Sequence, residues 1–188
     1  LNEGKTTTVA NFGVVAAMGG ARVCLIASDL RRPSLHHFFE LANTRGLSSA
    51  LVEGVPFAKI AQPTRIPNLS VLTSGPRPPN PAELLGSRRM RELLEAAGDD
   101  FDLVLLDSPP VVAVSDPIIL SAQCDGVLLV IGSGSISPEL ARRTAEQIAA
   151  VKGRLLGVLL NRVDFRRNGY YSDYYRSYAA YYGARQAE

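Results

Sequence analysis

Five short apolar runs mark the chain, at residues 23–27 (VCLIA), 69–72 (LSVL), 103–106 (LVLL), 126–131 (GVLLVI) and 155–160 (LLGVLL). None alternates with period two, so each reads as a strand buried on both faces. Between them lie segments of helical character at 6–18, 87–97, 117–123 and 138–151, the last with Ser137 as its N-cap. Strand alternating with helix predicts an α/β domain: a mostly parallel sheet with right-handed crossovers, helices on both faces, and ligands beyond the carboxyl ends of the strands. Residues 75–81 (GPRPPNP) hold four prolines, which excludes a helix or central strand and predicts a loop leading into Ala82. From Asp164 onward the apolar pattern stops, so the chain is expected to divide into a folded domain, 1–164, and a flexible tail, 165–188.

Composition narrows the class. At 188 residues with 46% hydrophobic and 20% charged side chains, the chain is sized and balanced for one globular core. Twenty basic against eighteen acidic residues give a net charge of +2, too little to argue for nucleic acid as a partner. Cys24 and Cys124 sit inside apolar surroundings without C-x-x-C spacing and read as buried thiols of a reducing compartment, the cytoplasm. No apolar run reaches the roughly 18 residues of a membrane span, and no signal peptide is legible. His36 and His37 have no acidic or cysteine partner at metal-ligand spacing and read as structural. Arg162, Arg166 and Arg167 form a local basic cluster, read as a solvated face.

The chemistry concentrates at strand ends and at the first helix. Gly4, Lys5 and Thr6 in LNEGKTTT match the last three positions of G-x-x-x-x-G-K-[ST], whose first glycine would fall before Leu1. In such a loop, backbone amides hold phosphate oxygens, the Lys5 ammonium reaches the β and γ phosphates, and the Thr6 hydroxyl binds Mg²⁺. A helix of this kind follows a buried strand, so a strand is expected upstream of Leu1. Asp107 closes the apolar run of FDLVLLD, where a P-loop enzyme places the carboxylate of its metal site, and Pro109 and Pro110 force the chain out of the strand. Asp29, in VCLIASDLRRP, is a second acidic candidate and an equally good N-cap for the segment after Pro33.

Taken together, LNEGKTTT, LIASDLRRP, FDLVLLDSPP and the tyrosine-rich C-terminus resemble the cytoplasmic kinase domain of the bacterial tyrosine kinases of exopolysaccharide and capsule synthesis. GLSSALVEG, PPNPAELLGS and DGVLLV extend the resemblance over nearly the whole chain. It implies a P-loop NTPase fold using ATP and Mg²⁺, with Lys5, Asp29 and Asp107 catalytic. It further implies that Gly4, Lys5, Thr6, Thr7 and Arg31 bind nucleotide and that Thr6, Asp29 and Asp107 hold the metal. By likeness to related P-loop ATPases, Asn161, at the end of the last apolar run, contacts the base; a turn-forming asparagine is the plainer reading. The resemblance also implies autophosphorylation in trans within a ring-shaped homo-oligomer. Its partner would be a membrane-spanning chain-length regulator, fused upstream or separate, which places the domain at the inner face of the cell membrane.

All seven tyrosines lie in the tail: Tyr170, Tyr171, Tyr174, Tyr175, Tyr178, Tyr181 and Tyr182. The Ser, Asp, Arg, Gly and Ala between them cannot supply an apolar surround, which favours phospho-acceptors over a packed aromatic stripe. Two departures from the family pattern stand out. Ala27 takes the place of the first aspartate of the apolar-apolar-D-x-D-x-R motif, removing a candidate base or metal ligand, and Asn2 replaces a glycine. The family's oligomerisation motif would lie before Lys5. Two alternatives therefore stay open: a non-catalytic nucleotide-binding regulator of polysaccharide chain length, and a partitioning-type P-loop ATPase.

Overall fold

The computed structural model describes residues 3–163. In chain order it runs α1 (Lys5–Met18), β1 (Val23–Ala27), α2 (Leu35–Phe38), α3 (Leu47–Glu53), a 3₁₀ turn (Phe57–Lys59), β2 (Gln62–Pro63), β3 (Leu69–Leu72), α4 (Pro81–Leu85), α5 (Arg88–Asp100), β4 (Leu103–Asp107), α6 (Asp116–Ser121), β5 (Val127–Gly132), α7 (Pro138–Ala150) and β6 (Leu155–Asn161). The five apolar runs are β1, β3, β4, β5 and β6, and the four expected helices are α1, α5, α6 and α7. Ser137 caps α7, its hydroxyl accepting from the Leu140 amide at 3.2 Å. The remaining elements, α2, α3, α4 and the two-residue β2, are too short to show a period. Pro81 opens α4 rather than closing the proline loop, because the first turn of a helix has no use for the missing N–H.

β1 is the central strand of a four-stranded sheet, order β2-β3-β1-β4, parallel to β3 and to β4, with β2 antiparallel at the edge. Its five residues are all buried, and they alternate between two cores. Cys24 and Ile26 join α3, α4, α5 and α6 on one side, through Leu51, Leu85, Met90 and Leu120. Val23, Leu25 and Ala27 join Ala10 and Ala17 of α1 and Leu35 of α2 on the other. α1 approaches closely: a Cβ on Gly13 would stand 2.5 Å from Leu25 Cδ2. Burial pushes the Cys24 thiol up to about 12 and the Cys124 thiol up to about 11; Cys24 is a buried core group as expected, whereas Cys124 is only half-buried and lines the cleft beside β5.

Among the described residues the parallel strands form two separate sheets. β5 and β6 pair in parallel as a second sheet, and an apolar cleft of about 800 Å³ separates residues 103–106 of β4 from residues 127–131 of β5. β5 and β6 also differ from the expectation of burial on both faces. α7 packs on β6 through its buried Thr144 and Ile148 side, while Leu156, Val158 and Leu160, alternating along β6, stay 55–62% exposed. Half-buried and exposed positions alternate along β6, so the run LLGVLL is covered less completely than β1 despite its uniform hydrophobicity.

Gly46 fixes how α3 docks. The Leu47 and Ser48 amides donate to the Thr73 and Ser74 carbonyls at 2.7 and 2.9 Å, and a Cβ on Gly46 would fall 2.1 Å from the Thr73 oxygen and 2.5 Å from the Gly75 nitrogen. Gly46→Ala must therefore move backbone, and a loss of about 1–3 kcal/mol is expected. Gly98, exposed in α5 with open space around it, gives the opposite sign: Gly98→Ala should gain about 0.5–1 kcal/mol from helix propensity. Urea midpoints at unchanged m-value check both, and equal midpoints for the two variants would contradict this packing.

Candidate nucleotide and phosphotransfer site

The register of β1 with β4 sets the geometry. Ala27 is paired with Asp107, so the two strands end together and the Ser28–Asp29 step leaves beside the Asp107 carboxylate. Ser28 ties the two exits: its amide and its hydroxyl both donate to the Asp107 carbonyl, at 2.9 and 2.7 Å. On the α1 side of the sheet, the Thr6 hydroxyl donates to Asp107 Oδ2 at 2.9 Å across 101 residues of sequence. The Ser34 hydroxyl approaches Thr6 Oγ1 at 3.4 Å.

Gly4 turns the chain into α1 with φ 91°, a left-handed conformation, and its carbonyl accepts from both the amide and the hydroxyl of Thr8 at 2.8 Å. A Cβ there would sit 2.3 Å from Asn161 Nδ2. That amide donates to the Glu3 carbonyl at 2.8 Å, while Asn161 Oδ1 accepts from the Arg162 amide at 2.9 Å, so the end of β6 is fastened to the loop before α1. Lys5 Nζ lies 2.5 Å from Glu3 Oε2. Burial pushes the Glu3 carboxyl up, but hydrogen bonds to it, that from Lys5 foremost, together with the Lys5 charge outweigh this and hold it at about 2. Thr7, on the same first turn, is exposed.

Asp29 follows β1 as expected but does not cap the helix after Pro33, where Ser34 holds the N-cap position; its Oδ1 instead accepts from the Arg31 and Arg32 amides within the loop, at 3.0 and 2.9 Å. Arg31, expected on the nucleotide, lays its guanidinium on Asp116, Nε to Oδ2 at 2.8 Å and Nη2 to Oδ1 at 2.9 Å. Of the sequence-expected set, then, Gly4, Lys5, Thr6, Asp29 and Asp107 share one strand-end region, Asn161 borders it at the loop, and Arg31 points its charge at α6. The seven tyrosines lie outside the described residues. Sequence reading missed Glu3, Ser28, Ser34 and Asp116; short polar side chains carry no period, and each partner except that of Glu3 is far along the chain.

Asp107 is nearly fully buried, at 2% exposure, and its carboxyl is pushed up to about 6. Burial is the main cause; the Thr6 hydroxyl opposes it, Asp29 adds to it, and Lys5 opposes it. The donor set fits Mg²⁺ rather than a metal caged by protein. It consists of a hydroxyl and a carboxylate, both hard oxygens, and among the described residues no three His, Cys, Asp or Glu cluster around a metal-sized space.

No protein-family model matches the chain. Individual relatives do. The tyrosine-protein kinase YwqD of Bacillus subtilis is 44% identical over 172 residues, covering 92% of this chain and 73% of YwqD. The chain belongs to the bacterial tyrosine kinases. Among solved structures, the kinase domain of the Escherichia coli tyrosine kinase ETK superposes with a TM-score of 0.83 at 34% identity, covering 86% of this chain and 64% of that one. The chimerical protein CapA2B2 gives a TM-score of 0.81 at 36% identity over 86% of this chain and 72% of its own. The fold is accordingly that of a P-loop kinase domain, and the Thr6–Asp107 pair stands at its strand-end edge.

A raised carboxyl has a sign in stability. With the folded-state value near 6 against an ordinary 3.8, the stability Asp107 contributes is fully present below about pH 4 and is lost as the pH rises through 6. Asp107→Asn removes that loss. The ligand-free variant should gain on the native protein between about pH 4 and 7, approaching about 3 kcal/mol less what the amide forgoes in its bond to Thr6. Denaturant melts of both proteins across this range check it; a difference that does not change with pH would contradict the assignment.

Proposed function

We propose that this domain is an ATP-dependent protein-tyrosine autokinase that regulates the assembly and export of exopolysaccharide or capsular polysaccharide. The observation that carries the reading is the bond between Thr6, in the helix-opening GKT, and the buried Asp107 at the end of β4. Kinship with YwqD supplies the class of reaction. Thr6 and Asp107, with Asp29 nearby, would hold Mg²⁺, which when bound neutralises charge on the transferred phosphoryl group. Lys5 exchanges its carboxylate partner Glu3 for phosphate oxygens, and the backbone after Gly4 offers amides at the N-terminus of α1. Asn161 Nδ2 gives one N–H to Glu3 and has a second for the adenine edge. Arg31 joins the nucleotide site through the loop it anchors.

The acceptors in this reading are the tyrosines of residues 165–188, modified in trans within a homo-oligomeric ring. Each phosphate adds about −1.5 to −2 charge, and mutual repulsion loosens the docked tails. Among the described residues no helix is long and apolar enough to cross a membrane. The membrane-spanning part is the chain-length regulator, which holds the kinase at the inner face of the cell membrane.

Ala27 keeps a second reading alive, that of a non-catalytic regulator. It is 1% exposed, packed with Val23 and Leu25, and paired directly with Asp107. A carboxylate at this position would enter the same desolvated space as Asp107, unstable alone and suited to sharing a cation. In the full-length protein, Ala27→Asp should raise the initial rate of tyrosine labelling by ATP·Mg²⁺ at least tenfold, and Asp29→Asn should abolish it. Anti-phosphotyrosine blots over time measure both. Absence of labelling in the native protein and in Ala27→Asp alike would favour the regulator, and ATP hydrolysis without labelling would favour the partitioning-type ATPase.

A further inference from the structure

Asp116 is the most buried member of any ion pair among the described residues. Asp116 has a side-chain exposure of 0%, Arg31 retains 34%, and two parallel bonds of 2.8 and 2.9 Å join them across 85 residues. A carboxylate that buried, at the first residue of a six-residue helix, is costly unless its partner is held in good geometry. What Arg31 contributes besides its guanidinium is its backbone amide, which together with that of Arg32 holds Asp29 Oδ1. The chain between Ala27 and Arg31 is thus pinned at both ends. At one end, Ser28 binds the Asp107 carbonyl twice; at the other, Arg31 is gripped by α6. Asp29 lies between the two anchors.

We propose that Asp116 is a positioning residue of the phosphotransfer site, which by gripping Arg31 fixes the backbone amides that hold Asp29 and so sets where the Asp29 carboxylate stands relative to Thr6 and Asp107. This rests on the reading of Thr6, Asp29 and Asp107 as the Mg²⁺·nucleotide site. Asp116 touches none of the reacting groups; it acts through Arg31. Bidentate geometry matters here because it fixes orientation as well as distance, which a lysine at position 31 could not reproduce. Supporting groups of this kind around a metal site typically change affinity or activity by about 10–100-fold when removed.

The test is a double-mutant cycle read by calorimetric binding of Mg²⁺·ADP to the full-length protein, with tyrosine labelling as the second readout. Asp29→Asn alone should weaken Mg²⁺·ADP binding, and Asp116→Asn alone should weaken it about tenfold and slow labelling to match. In the Asp29→Asn background, Asp116→Asn should cost nothing further, because the carboxylate it positions is gone. Arg31→Lys, which keeps the charge and loses the fork, should behave like Asp116→Asn and serves if that variant does not fold. Equal losses from Asp116→Asn in both backgrounds, or no loss in either, would overturn the positioning role while leaving the site intact. If Asp29→Asn leaves both binding and labelling unchanged, the site reading itself fails.

Discussion

Parallel pairing of β1 with β4 puts Ala27 opposite Asp107, and the chemistry at the carboxyl edge depends on that register. Because side chains alternate along a strand, a slip of one residue would send Asp107 to the opposite face, away from α1 and Thr6. The register is held by burial. β1 has no exposed residue and feeds two cores at once, so sliding it would misplace Cys24 and Ile26 on one side and Val23, Leu25 and Ala27 on the other. Beyond the last ladder bond, Ser28 extends the lock by two more bonds to the Asp107 carbonyl.

Two buried aspartates on this edge are treated in opposite ways. Asp116 is matched by a guanidinium in bidentate geometry, the arrangement in which a buried charge is tolerated. Asp107 receives one hydroxyl, feels Asp29 as a like charge, and has its carboxyl pushed up to about 6. A carboxylate kept desolvated and under-neutralised at a strand end is electrostatically suited to a cation, and the stability it forgoes is a common feature of functional sites. Glu3 and Lys5 show a third arrangement, a close pair at the helix start in which phosphate oxygens can take the place of the carboxylate.

Much of the site is legible in the amino-acid sequence, for a simple reason. Lys5 and Thr6 open a helix, Asp29 follows one apolar run and Asp107 closes another, and strand ends on one edge of a parallel sheet must converge. Arg31 is legible as part of a motif but not in its contact: Asp116 lies 85 residues away, in a helix whose start carries no chemical pattern. Asn161 is placed at the right strand end, yet its attachment to the Glu3 carbonyl, over a glycine that cannot carry a Cβ, depends on two segments at opposite ends of the domain.

The apolar runs by themselves determined that strands exist at their positions, that they alternate with helices, and that the sheet is mostly parallel, since continuous hydrophobicity without period two marks strands covered on both sides. They could not determine how complete that cover is. β1 and β6 are equally apolar as sequence, but β1 lies between two layers of helices, whereas β6 has α7 on one face and Leu156, Val158 and Leu160 exposed on the other. Hydrophobicity reports what a segment gains by leaving water, and only the placement of every other segment decides whether it does. In the same way, the letters A-S-D at the end of β1, set against the family pattern the sequence resembles, put an alanine at position 27 where that pattern has a carboxylate. The tertiary structure alone shows that its place lies in the desolvated space beside Asp107, because that adjacency is made by strand pairing between segments far apart in the chain.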